Sequence, residues 1–133
     1  MNADGAVTRI GVAAYRSTRA VGMDPARMVA LGFDGLSEYL RRAYQGFESG
    51  DVSARAQALD RAFRVVEHLL AALDFEAGGE LAMNLEGLYR FLLDRLARAN
   101  IFNDPELLAE CRPVVENLRL AWNEVAGNGD GSA

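Results

Sequence analysis

Apolar residues recur every three to four positions through four long stretches of this chain, with polar and charged residues between them. In the first, Met28, Leu31, Leu36, Leu40, Ala43 and Phe47 fall near one broad face, with Phe33 and Tyr44 beside it. In the second, Leu59, Ala62 or Phe63, Val66, Leu69 or Leu70, and Leu73 keep the same spacing. The third carries Leu81, Leu85, Leu88, Leu92 and Ala99, flanked by Tyr89, Leu93 and Leu96. The fourth, through Leu108, Cys111, Val115, Leu118, Trp122 and Val125, alternates steps of three and four most regularly. This period is that of an α-helix with one buried face, and segments of strand-like alternation are few. The pattern predicts an all-α fold: an antiparallel up-down four-helix bundle with an N-terminal apolar leader segment packed on it.

The boundaries are written in local chemistry. Asp24-Pro25 and Asp104-Pro105 each place a capping carboxylate before a proline at the first helical position, where the missing N–H costs nothing. Gly50 closes the first segment, and Asp51 or Ser53 caps the second. The stretch Leu73–Leu85 reads as the midpoint turn, an acidic linker closed by Gly78-Gly79, with the third helix running from about Glu80 to Asn100. Gly32 and Gly35, inside the first helix, mark either close approach of another element or tolerated drift. Pro113 interrupts the fourth seam, which predicts a kink between Ala109 and Pro113 or an irregular start. The expected organisation is a leader over residues 1–23, the bundle over 24–126 and a disordered tail over 127–133.

Composition narrows the chemistry. A chain of 133 residues, half of them apolar, is one domain with a real core. A net charge of −5 argues against a nucleic-acid partner, which needs a basic face. One cysteine, Cys111, permits no intrachain disulfide. No apolar run approaches a membrane span, and residues 1–5 lack a signal peptide's pattern, so no membrane insertion and a soluble, cytoplasmic protein are expected.

Candidate catalytic groups are sparse. His68, the single histidine, raises the possibility of a phosphotransfer domain, but Ala71 and Ala72 stand one turn later where a basic neighbour would help. Metal sites in bundles need several histidines or cysteines, and Asp74, Glu76 and Glu80 read as a solvated turn with acids at a helix start. No catalytic, cofactor-binding or metal residue is assigned, and no enzyme activity is expected. What remains is a surplus of apolar positions beside the seams. Together with the leader, these suggest a groove for a partner helix: Ile10, Val12, Tyr15, Val29, Phe33, Leu36, Leu40, Val65, Tyr89, Leu93 and Leu96.

Several segments carry a family likeness. Ala14-Tyr15 precedes Asp24-Pro25 by about ten residues, and Met28-Val29-Ala30-Leu31-Gly32-Phe33-Asp34-Gly35 follows. The most specific is Leu73-Asp74-x-Glu76-x-Gly78-Gly79-Glu80-Leu81-Ala82-x-Asn84-Leu85-x-x-Leu88-Tyr89. Arg95-Leu96-x-x-Ala99-Asn100 and Leu118-Arg119-x-Ala121-Trp122 complete it. Over roughly residues 13 to 126 the chain resembles the flagellar FliS family of secretion chaperones. Gly32, Phe33, Leu36-Ser37 and Pro113 depart from the family's usual residues.

The resemblance implies a helical bundle that holds the disordered C-terminal segment of flagellin in the cytoplasm. Such capture prevents premature polymerisation and keeps the subunit competent for type III export. A component of the flagellar export gate is a further expected partner, and the oligomeric state expected is a monomer or weak homodimer. The resemblance further implies that the leader, through Ile10, Val12 and Tyr15, covers part of the groove when cargo is absent, so deleting residues 1–15 would change cargo affinity; the alternative for Tyr15 is a pinned structural aromatic. The alternative is a non-enzymatic bundle adaptor for another amphipathic helical partner.

Overall fold

The computed structural model describes residues 13–15 and 24–131, with side chains to residue 127. Four helices fill the described chain: α1 (Pro25–Ser49), α2 (Val52–Ala71), α3 (Phe75–Ile101) and α4 (Pro105–Gly131). Connections of two or three residues join them, so sequential neighbours run antiparallel. Each helix packs on the next, and α4 returns to pack on α1, closing a four-membered ring. The expected all-α bundle is the fold observed, and the described residues contain no strand.

The caps act as their sequences suggest. Asp24 Oδ1 accepts from the Ala26 amide at 3.4 Å, with Pro25 at the first helical position. Asp51 Oδ1 accepts from the Ala54 amide at 3.0 Å, and Asp104 Oδ1 from that of Glu106 at 2.9 Å. Gly50 ends α1 in the left-handed region, φ 72°, which costs a glycine nothing.

One reading is refined: the stretch after Leu73 reverses the chain at residues 72–74, and a short helical turn precedes the break at Gly79. Asp74 Oδ1 accepts from the Ala77 amide at 2.9 Å, so α3 begins at Phe75 and residues 72–74 make the reversal. The glycine pair ends that first helical turn at a kink, beyond which the long part of α3 starts at Glu80 as expected, and it does two separate jobs. Gly79 breaks the helical path (φ 53°, ψ −129°), a conformation open to glycine. Gly78 stays helical but touches the leader: a Cβ there would lie 2.7 Å from Ala14 Cα. α4 runs as helix from Pro105 through Pro113 to Gly131.

Leu36, Leu40, Leu59, Val66, Leu85, Leu92, Leu96, Leu108, Val115, Trp122 and Val125 fill the core, each under a tenth exposed. Close approach occurs at a glycine other than those expected. Nothing lies within 4 Å of a Cβ built on Gly35, and on Gly32 it would make an ordinary 3.5 Å contact with Leu69. At Gly46 it would stand 2.8 Å from the Arg55 backbone, so α1 and α2 meet there without a side chain between them. At the same end, the Arg55 guanidinium lies over the Phe47 ring and donates to Asn103 Oδ1, tying the α3–α4 turn to the α1–α2 hairpin.

These glycines predict substitutions of opposite sign. Gly46→Ala pushes two backbones apart and destabilises the bundle by about 1–3 kcal/mol. Gly35→Ala, with open space around it, stabilises by up to about 1 kcal/mol through helix propensity. Urea unfolding measures both, and equal effects would contradict the close approach.

Candidate functional site

Little in this fold is arranged for bond chemistry. His68 is exposed in the last turn of α2. Cys111 is buried, its Sγ 3.7 Å from Leu107 O, and burial with Glu110 nearby pushes its thiol up to about 12. No group of three or more metal-ligating side chains gathers among the described residues. Asp74 is spent on the α3 cap, while Glu76 and Glu80 are exposed. No helix among the described residues is long and apolar enough to cross a membrane.

The expected groove residues separate by depth. Val29, Phe33, Leu36, Leu40, Tyr89 and Leu96 lie in the core, each 5% exposed or less. Val65 and Leu93 are half-buried against that core. Val65 lies one turn before Leu69 on α2, and Leu93 one turn after Tyr89 on α3. Ile10 and Val12 lie outside the described residues. The pattern of apolar positions could not tell inner strip from outer strip, because depth depends on which neighbours close over a face. Large apolar side chains that do reach solvent are Leu31, Val52, Phe75, Met83, Leu88, Ile101, Phe102 and Leu120.

Tyr15 connects these parts. It is fully buried, with its ring edge-on to Trp122 at 5.5 Å between centroids. Its hydroxyl donates to Leu69 O at 3.0 Å and lies 2.7 Å from the Tyr89 hydroxyl. Since the Tyr15 proton serves Leu69, the Tyr89 hydroxyl is the donor in the second bond. Tyr89 also packs against Phe33, 6.2 Å between centroids. Burial, with Tyr89 beside it, raises the Tyr15 phenol well above its ordinary value. Burial raises Tyr89 too, and the bond to Tyr15 offsets part of that.

A second feature runs along the α1–α4 seam, where a groove of about 800 Å³ is lined by residues including Leu40, Tyr44, Leu108 and Val115. Across it Ser37 Oγ donates to Glu116 at 3.0 Å and Asn123 donates to Asp34 at 2.9 Å, while within α4 Arg119 donates to Glu116 at 2.8 Å. The Arg119 hydrogen bond, with help from Ser37, holds the Glu116 carboxyl below its usual range. Spacing alone did not reveal this polar latch, whose partners lie 79 and 89 residues apart.

The tyrosine pair predicts an ordered set of losses. Tyr15→Phe strands Leu69 O and the Tyr89 hydroxyl and costs about 1–3 kcal/mol, whereas Tyr89→Phe leaves the Tyr15–Leu69 bond intact and costs about 1 kcal/mol. The reverse order in urea unfolding would contradict the assigned donor direction. Raised folded-state values favour the neutral phenols, so their contribution is whole below about pH 10, the ordinary tyrosine value, and falls as pH rises further. Tyr15 and Tyr89 should therefore ionise together with unfolding, in one cooperative step of tyrosinate absorbance. Gradual ionisation in a still-folded bundle would contradict their burial.

Comparison with known proteins points to one family. The family described as "Flagellar protein FliS" matches residues 9–129. The flagellar secretion chaperone FliS of Salmonella typhimurium is 34% identical over 90% of this chain and 92% of that protein. FliS of Campylobacter jejuni is 30% identical over 86% of this chain and 90% of that protein. Flagellar secretion chaperone FliSB of Pseudomonas aeruginosa is 32% identical over 77% and 82%. With a family match over almost its whole length and this identity to relatives of matching length, the chain belongs to the FliS family of flagellar proteins.

Proposed function

We propose that this protein is a flagellar secretion chaperone that binds the disordered C-terminal segment of flagellin in the cytoplasm. It thereby prevents premature polymerisation and keeps the subunit competent for type III export, with a component of the export gate as a second partner. It acts as a monomer or weak homodimer, without nucleic acid, membrane insertion or catalysis. The observation that carries the reading is the 34% identity to a flagellar secretion chaperone along 92% of that protein's length.

The physical chemistry supports it. A disordered segment that folds on binding gives up several kcal/mol in ordering, and buried apolar area is what offsets that loss. Half-buried Val65 on α2 and Leu93 on α3 offer direct contact. Val29, Phe33, Leu36, Leu40, Tyr89 and Leu96 serve from beneath, by fixing the spacing of the helices that carry the contacting residues. Ile10, Val12 and Tyr15 of the leader belong to the same proposed surface.

Calorimetric titration with flagellin tests the reading. Binding is expected with the intact subunit and lost when its C-terminal segment is removed. Binding that survives this trimming supports a bundle adaptor for another partner instead. Truncation of residues 1–12, which spares Tyr15, is expected to change the affinity; an unchanged value would remove the leader from the binding account.

A further inference from the structure

The α1–α2 and α3–α4 turns meet at one end of the bundle, where Arg55 donates to Asn103. Large apolar side chains reach solvent there: Val52 is 60% exposed, Ile101 72% and Phe102 64%. Between α1 and α4 at that end, beyond the polar latch, lies a second groove of about 300 Å³. Tyr44, Phe47 and Glu48 of α1 form one wall, and Pro105, Glu106 and Ala109 of α4 the other. Each helix thus brings apolar surface and one carboxylate.

Those carboxylates differ from others on the surface. Glu38, Asp60 and Glu86 each pair with an arginine of their own helix, Arg41, Arg64 and Arg90. Neither Glu48 nor Glu106 has a hydrogen-bonding or ionic partner among the described residues. Glu106 stands in the first turn of α4, where the helix dipole favours negative charge. Glu48 stands in the last turn of α1, which holds no basic residue, and its charge there opposes the dipole. Stability of the fold gives no reason for an acid at that position. The rings share the preference for a cation. Arg55 lies over Phe47 at 5.0 Å from the ring centroid and Arg112 over Tyr44 at 6.0 Å, yet neither arginine lines this groove.

We propose that the groove is a socket for an arginine or lysine side chain of a second protein partner, separate from the cargo. The aliphatic stem lies along Tyr44, Phe47 and Pro105, with the charged head between Glu48 and Glu106. Apolar neighbours of the incoming residue cover Ile101 and Phe102. Charge selects this occupant. A second copy of the chain would set carboxylates against carboxylates, and an anionic membrane or nucleic acid meets the same repulsion. Helices α1 and α4 stand across the four-membered ring from α2 and α3, which carry Val65 and Leu93. The socket is therefore open while cargo is held. That last clause rests on the chaperone reading; the socket itself does not.

Titration of the full chain with the blocked tripeptide acetyl-Leu-Arg-Leu-amide, followed by amide NMR, tests the socket. Saturable shifts are expected at Phe47, Glu48, Glu106 and Ala109. The citrulline counterpart, of the same shape without the charge, is expected to bind at least about tenfold more weakly. Equal binding of the two peptides, shifts centred elsewhere or an absence of saturation would overturn the proposal. Glu48→Gln is expected to weaken the arginine peptide about tenfold while its stability in urea stays equal or rises, because a charge opposed to the helix dipole is gone. A clearly less stable Glu48→Gln protein would mean that the carboxylate serves the fold, and would overturn the socket.

The titration is then repeated with the flagellin C-terminal segment at saturation. Unchanged shifts support a site separate from cargo. Their loss means that cargo covers the groove, and overturns the assignment to a second partner. A segment that fails to bind counts against the flagellin reading alone, and the titration of the free chain then decides the socket.

Discussion

Tyr15 sits where three otherwise separate parts of the molecule meet: its hydroxyl reaches the open end of α2 and Tyr89 of α3, and its ring packs on Trp122 of α4. A buried carbonyl without a donor costs on the order of 1–3 kcal/mol, a large share of a small domain's net stability. The bundle answers that cost with a side chain from outside its four helices. Once Tyr15 is in place, other features of the corner follow. Ala14 is carried against α3, Gly78 must lack a side chain, and the α3 cap gains an acceptor for its own amide. The packing of α2 on α3 is therefore a property of five segments rather than four.

This arrangement bears on how such a bundle can serve a partner. The core is closed: Phe33, Leu36 and Tyr89 have no exposed surface to offer. Apolar area reaches solvent instead along the outside, at half-buried Val65 and Leu93 and at exposed residues such as Leu31, Met83, Leu88 and Leu120. A rigid interior with an apolar exterior suits the capture of a disordered segment. The scaffold stays ordered, and the ordering entropy falls on the ligand. The α1–α4 seam, by contrast, is latched by Ser37, Glu116, Arg119, Asp34 and Asn123. Those mutual bonds leave that face held by its own charges.

Much of the fold was legible because its signals are local. Asp24-Pro25, Asp51, Asp104-Pro105 and Gly50 act on amides or carbonyls within a few residues, and their chemistry can be read where it stands. The four seams were legible because burial repeats with the helical period. What escaped was set by contacts distant in sequence. Nothing near Gly46 distinguishes it from Gly35, yet one meets the backbone of α2 and the other meets open space. Gly79 leaves the helical path, as a glycine pair suggests, whereas the sequence does not show Ala14 arriving at Gly78. The family likeness was legible through the Leu73–Tyr89 motif. The depth of Val29, Phe33 and Leu96 was not, since a broad apolar stripe looks the same whether a neighbouring helix or a partner covers it.

If the closed bundle captures a disordered segment on its outer apolar surface, binding has to remove a large apolar area from water and order the segment in the same event. The heat-capacity change of flagellin binding, from calorimetric titrations at several temperatures, measures that directly. The account predicts a strongly negative value, of the size that accompanies burial of about 1,000–3,000 Å² in coupled folding and binding. Tight binding with a heat-capacity change near zero would contradict it, because the contact would then be polar and made by a segment already folded.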